Sequence, residues 1–293
     1  MNKNIRHLKE NIIHGLFFIN GIIVVLILIG IFILLVSASF PAFKEISFKD
    51  FFLTIEWNPT GYEKETYGII AMLVSTLMVT LGALAIAIPL GIGTAIYLSD
   101  IATEKVREIT KPIIEILAGI PSVVVGFLGV VFVGPLIAKL FGLPNGLNAI
   151  NGAVLLAVMA LPTIISLSED ALNSVPESYT QASLALGATH WQTVVRVKVP
   201  AAISGIFAAC ILGMGRAIGE TMTVLMATGC APAMPMAFTD SVRTITSTIA
   251  IELGEVPYNT THYYALFGLG LVLFVITFIV NFFADRIVHK HKL

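Results

Sequence analysis

Charge is the scarcest thing in this sequence. Of 293 residues only 12% are Asp, Glu, Lys or Arg, against 57% hydrophobic, where a soluble globular protein carries about one quarter charged residues. No water-soluble core of this length could hide so much apolar surface, so lipid must cover part of it. The net charge of -1 argues against nucleic acid as the main partner. Two cysteines, Cys210 and Cys230, make no disulfide framework. On one helix they would stand roughly 30 Å apart and could not pair. The six histidines make no metal site. His7 and His14 flank the first apolar run, His289 and His291 lie in a basic tail, and no zinc spacing appears. A Gly-x4-Gly-Lys-Ser/Thr loop is missing too, so the chain is not expected to hydrolyse ATP.

What the sequence has instead is apolar runs of membrane-spanning length. They fall at about 14–40, 68–98, 112–139, 148–168, 200–229 and 262–285, each near the 20 residues a bilayer requires. No soluble domain fits between them. The first run follows Lys3, Arg6 and Lys9, as a signal peptide would, but it is far longer than a signal core and reads as a retained helix. With the N-terminus inside, the inner stretches hold eleven Lys and Arg and the outer stretches five, so both termini are expected in the cytoplasm. Pro89 lies late in the second span and Pro121 interrupts the third. A packing kink explains either alone, whereas several breaks together suit a transport path, where freed backbone groups can meet water or protein.

Two segments carry chemistry. The inner stretch at 174–199 is expected to form two short helices. Ser174 and Glu177 have capping-box spacing with Pro176 in the first turn, Gly187 suits a left-handed end, and Thr189 with Gln192 offers a second cap. Pro200 then opens the fifth span. The mixed surface fits docking into a groove on another protein, and equally an ordinary interfacial connector. The second segment is Gly213-Met214-Gly215-Arg216-Ala217-Ile218-Gly219-Glu220-Thr221. Arg216 stands roughly 24 Å of helix from Pro200, at membrane depth, where an arginine is functional by default. Glu220 at i+4 is expected on the same face, in the weaker order for helix pairing. A guanidinium grips phosphate oxygens in bidentate fashion. The carboxylate could accept a hydrogen bond from a protonated phosphate and would repel fully ionised sulfate. A neutralised ion pair, or a bridge to another helix, is the structural alternative. The outer stretch 230–261, with Asp240, Arg243, Glu252 and Glu255, could meet a substrate-loaded receptor, dip back into the membrane, or be a solvated loop.

Ala182, Gly187 and Pro200 with their intervening apolar positions resemble the EAA loop of ABC importer permeases. The family's leading Glu-Ala-Ala stands here as Gln181-Ala182-Ser183, so the charge of the first position is absent. The string from Arg216 to Thr221 resembles the phosphate-specific transport (Pst) permeases, PstC-type subunits in particular. Trp57-Asn58-Pro59, Pro89-Leu90-Gly91-Ile92-Gly93, Gly119-Ile120-Pro121-Ser122 and Arg243-Thr244-Ile245-Thr246 agree with it.

The resemblance implies an all-α, polytopic fold of about six transmembrane helices with a cytoplasmic coupling loop, the type I (MetI-like) importer permease. Residues 1–67 would form a first helix and outer loop, 68–285 the permease domain and 286–293 a cytoplasmic tail. It implies a substrate path at Arg216 and Glu220, lined also by Ser122 and Thr221, and ATPase coupling through Gln181, Ala182, Ser183, Gly187 and Trp191. Expected partners are a second Pst-type permease, two ATP-binding subunits that hold ATP and Mg, an extracytoplasmic phosphate-binding protein and the bilayer of a bacterial or archaeal plasma membrane. Rival readings are a permease for another oxyanion, an ion-coupled carrier and a non-transporting scaffold. The carrier reading lacks the clear internal repeat that such folds often carry.

Overall fold

The computed structural model describes residues 3–61 and 64–290. Among these residues five helical stretches are long and apolar enough to cross a membrane: Ile13–Glu45, Ile70–Ile101, Ser122–Phe141, Ala149–Asn173 and Thr261–Phe283. A sixth crossing arises if the bent pair His190–Ala201 and Ile203–Ile218 is one span. Helix α1 (Lys3–Ser39) shows its apolar side chains from Ile13 onward almost wholly outward, as a lipid-facing helix must. The basic side chains at 3, 6, 9, 290 and 292 that set the expected orientation lie outside the described ones.

Outside the membrane the chain builds a small cap. Helices α2 (Ala42–Glu45) and α3 (Phe48–Leu53) lead into a two-stranded hairpin, β1 (Trp57–Asn58) and β2 (Thr66–Tyr67), with Trp57 opposite Tyr67. Phe51, Trp57, Tyr67 and Ile69 are buried here with Leu266 and Leu269.

The centre is made by α4 (Ile70–Ile96), α8 (Ala149–Asn173) and α12 (Ile203–Ile218). Small residues let the three backbones approach closely, since dispersion rather than the hydrophobic effect drives packing inside lipid. Ala83, Ala87, Ala153, Ala157, Ala160 and Ala217 are all buried in one cluster. Ile164 of α8 is its wedge. A Cβ added to Gly91 of α4 would sit 2.6 Å from Ile164, and one added to Gly213 of α12 would sit 2.7 Å from it. Both positions therefore require glycine.

Between α4 and α8 the chain makes α5 (Glu104–Ala118), α6 (Ser122–Leu128) and α7 (Gly134–Phe141). The expected span at 112–139 is corrected here. Residues 112–118 belong to the amphipathic α5, residues 119–121 break the helix, and the crossing starts at Ser122. Pro121 has no amide proton to donate and stands just before α6, where a break is cheapest.

The expected fifth span at 200–229 is not continuous either. It bends by 68° at Ala202, runs through α12, stops at Gly219, and restarts as α13 (Met222–Ala227). The outer stretch returns as α14 (Ile245–Glu252), with Ile245, Thr246, Ser247 and Thr248 buried. This excludes the solvated-loop reading for 244–248, while Met236 and Tyr258 on either side stay exposed. The last helix, α15 (Thr261–Lys290), rests on α1, where the Phe32 and Phe274 ring centroids lie 5.7 Å apart. It runs on through most of the expected tail.

Candidate functional site

The two broken helices meet, and Arg216 stands where they do. It lies in the last turn of α12, where a cation also suits the helix dipole. Ile164, wedged against Gly213, sets α12 against α8 one turn before Arg216. The guanidinium, half-buried, donates from Nη1 to the hydroxyl of Thr163 on α8 at 3.4 Å. From Nη2 it donates to the carbonyl of Ala118, the last residue of α5, at 3.3 Å. Both bonds are long for a charged donor. They satisfy the arginine without committing its five N–H groups.

Polar groups from four further segments gather round the same breaks. Thr223 of α13, fully buried, donates from Oγ1 to the Ser122 carbonyl at 3.1 Å, closing α13 onto the start of α6. Thr246 of α14 donates from Oγ1 to the Glu220 carbonyl at 2.8 Å, bringing the outer stretch down to the α12–α13 break. Ser122, Glu220 and Thr221 are all partly exposed there. Sequence reasoning missed Thr163, Thr223, Thr246 and the Ala118 carbonyl. Thr163, Thr246 and the Ala118 carbonyl reach the junction from distant segments, and Thr223 stands at the break itself.

The expected i+4 pairing of Arg216 with Glu220 is corrected. The helix ends at Ile218, so Glu220 leaves the face that carries Arg216, and no ion pair joins them among the described residues. Instead Glu220 Oε1 accepts the Thr223 amide at 3.3 Å and so caps α13. The two stand on either side of one break, and the acid is held by backbone rather than by the arginine.

Arg243, one of the four charged residues named in the outer stretch, is occupied. Its Nε donates to the Cys230 carbonyl at 2.9 Å and its Nη1 to Glu252 Oε1 at 2.9 Å. The second Glu252 oxygen accepts from the Trp57 indole at 2.9 Å and pairs with His262 Nε2 at 2.8 Å. Glu252 thus ties α14, the hairpin and α15 together. The two cysteines are free and sit on different elements, Cys210 in α12 and Cys230 beyond α13.

On the opposite side, α9 (Glu177–Ala185) and α10 (His190–Thr193) form the expected helix pair. Thr189 and Gln192 make the expected capping box, with both bonds present. Gly187 has φ +84°, and its amide and that of Ala188 bond back to the Leu184 and Ser183 carbonyls, a Schellman end. The first cap differs. Ser174 closes α8 by donating to the Ala171 carbonyl at 2.7 Å, and Pro176 stands at the N-cap of α9. Gln181, Ala182 and Trp191 are exposed, no residue of α9 is buried, and Leu186 is 91% exposed. Ser183 faces inward, its hydroxyl 2.9 Å from that of Thr193. Beyond α10 a π-turn at Val194–Lys198 and the short α11 (Val199–Ala201) lead to the bend.

Broken spans around a half-buried arginine, with an exposed helix pair at one membrane face, define a multi-pass permease subunit of an ABC-type importer. The chain belongs to the family of binding-protein-dependent transport system inner membrane components, whose model matches residues 87–292. It is 39% identical over 230 residues, 78% of this chain and 74% of the other, to the probable ABC transporter permease protein YqgH of Bacillus subtilis (strain 168). It is 34% identical over 293 aligned positions, 93% of this chain and 88% of the other, to the phosphate transport system permease protein PstC of Mesorhizobium japonicum. A bacterial transporter for the polysaccharide alginate shares the fold at TM-score 0.65 and 16% identity, with all of both chains covered. The MetNI methionine transporter shares it at 0.60 and 23%, over 76% of this chain and 95% of the other. The fold is therefore the type I importer permease. The chain is a transport subunit and not an enzyme.

Proposed function

We propose that this chain carries inorganic phosphate across the membrane as one of two permeases in an ATP-driven importer, with Arg216 in the path. The observation that carries the reading is a guanidinium held at a double helix break by two long bonds. An arginine kept at that depth only for structure would be expected to make its bonds well. Similarity to PstC-type permeases supports phosphate as the cargo. Ser122, Thr163 and Thr221 offer hydroxyls, and Glu220 offers an acceptor that tolerates a protonated phosphate and repels sulfate. An extracytoplasmic phosphate-binding protein delivers the anion to the outer cap built by α2, α3, the hairpin and 230–261. Two ATP-binding subunits move the loop at 174–199 within the permease domain 68–285, docking against the surface that holds Gln181, Ala182, Gly187 and Trp191.

The test is uptake of labelled phosphate by the complete transporter in proteoliposomes. Arg216→Gln should lower uptake about 100-fold, the scale of a lost charge-assisted hydrogen bond. Glu220→Gln should keep phosphate transport but let excess sulfate compete, which it does not do in the parent. Phosphate moving at the parent rate through Arg216→Gln would remove the arginine from the path.

A further inference from the structure

Glu169 is the most deeply buried acid in the described chain, 1% exposed near the inner end of α8. A carboxylate out of water is costly unless paired and hydrogen-bonded, and this one is richly provided for. Arg107 of α5 donates to Oε1 from Nε at 2.9 Å and from Nη2 at 2.6 Å. Lys111, one turn on, stands 3.5 Å from Oε2 and 3.7 Å from Asp170. The Asn173 amide adds a long bond at 3.5 Å. So one acid grips two cations of a helix that is otherwise only shallowly packed, with Ile109, Ile113 and Ile116 facing out.

The network does not end there. The Asn173 Oδ1 accepts from Ser99 at 2.9 Å, and Ser99 accepts from Lys198 at 3.1 Å. Lys198 also reaches Asp100 Oδ1 at 2.6 Å, and His190 donates to the Asp100 carbonyl at 3.1 Å. Ser99 and Asp100 lie in a π-turn at Tyr97–Ile101, and Lys198 ends the one at Val194–Lys198. Such turns are local weak points that concentrate at functional places. At the far end, α5 stops at Ala118, whose carbonyl holds Arg216.

We infer that Glu169 is a positioning residue of the transport cycle. Through Asn173, Ser99 and the Lys198–Asp100 pair it fastens α5 to the coupling loop, so that displacement of α10 is delivered to Ala118 and hence to Arg216. The inference rests on the ATP-driven part of the proposed function and is independent of which anion is carried. A carboxylate that merely offset its neighbours would need no continuous chain of bonds to the moving loop.

The experiment uses the assembled transporter, purified by size and reconstituted, with two readouts. One is phosphate moved per ATP hydrolysed. The other is the ATP-dependent change in distance between spin labels at Ile109→Cys on α5 and Phe278→Cys on α15, in a chain with Cys210→Ala and Cys230→Ala. Glu169→Gln should go on hydrolysing ATP while phosphate per ATP falls about fivefold and about half or more of the distance change is lost. Exchanging the pair, Lys198→Asp with Asp100→Lys, should recover coupling that Lys198→Met alone loses. Parent values of both readouts in assembled Glu169→Gln complexes would overturn the inference. If that variant fails to assemble, both readouts are taken on Lys198→Met, and parent values there overturn it equally. A parent that moves no phosphate sinks the reading of the cargo and leaves the distance change to decide this one.

Discussion

At the level of single residues, what was legible is what local chemistry dictates. An arginine within an apolar run announced itself, because lipid makes a lone charge expensive. The place of Glu220 did not, because the i+4 expectation assumed that the helix continues. Gly219 ends α12, and Glu220 becomes the cap of the next helix. Thr163 and Thr246 were illegible for another reason, since their partners lie 53 and 26 positions away. Arg243 drew notice as a charge in an outer stretch, and its role is structural. Its pair with Glu252 is well shielded, with side chains 18% and 15% exposed, and Glu252 holds three elements. Removing one partner of such a pair leaves the other uncompensated. Glu252→Gln should therefore cost about 3 kcal/mol of stability, read as a lower unfolding midpoint of the detergent-solubilised protein.

At the level of elements, the caps of the coupling loop divide instructively. Thr189 with Gln192 and the glycine end at 187 depend on a few neighbouring residues, and both formed as the sequence implies. Ser174 with Glu177 has the same spacing and failed, because α8 runs on to Asn173 and takes Ser174 for its own end. A second local device lies on the outer side. The amides of Met236 and Ala237 both donate to Asp240 Oδ2 at 2.8 Å, and these bonds hold its carboxyl below the usual carboxylate range. A lowered value means that the stabilisation is complete above the ordinary carboxylate pKa and is lost only as pH falls through the lowered one. Protection of the Met236 and Ala237 amides against hydrogen exchange, corrected for intrinsic rate, should thus persist from neutrality to about pH 4. Asp240→Asn should weaken it throughout that range.

At the level of the molecule, hydropathy located the five crossing helices and the bent pair that can make a sixth, because span length is set by the bilayer. Pro121 marked one break in the sequence, but hydropathy could not reveal the break at Gly219, since the segments on either side of it remain apolar. Sidedness has a direct check. In a chain with Cys210→Ala and Cys230→Ala, a cysteine at Leu186, on the coupling loop, should react with an impermeant maleimide only from the cytoplasmic side. One at Tyr258, which is 80% exposed in the outer cap, should react only from outside. Reaction of both from one side would invert the assignment of the faces.

The π-turn at Val194–Lys198 has a consequence for what the chain can tolerate. His190 and Lys198 both reach Asp100, although eight steps of about 100° overshoot two full rotations by about 80°. The wider turn absorbs one surplus position, which brings the two side chains back to within about 20° of each other. Removing the surplus amino acid would leave seven ordinary steps and the same alignment, whereas adding one more would turn one of the two hands by about 100° and swing it off its hold. Loss of one position is the milder injury here; gain of one is the change that lets go.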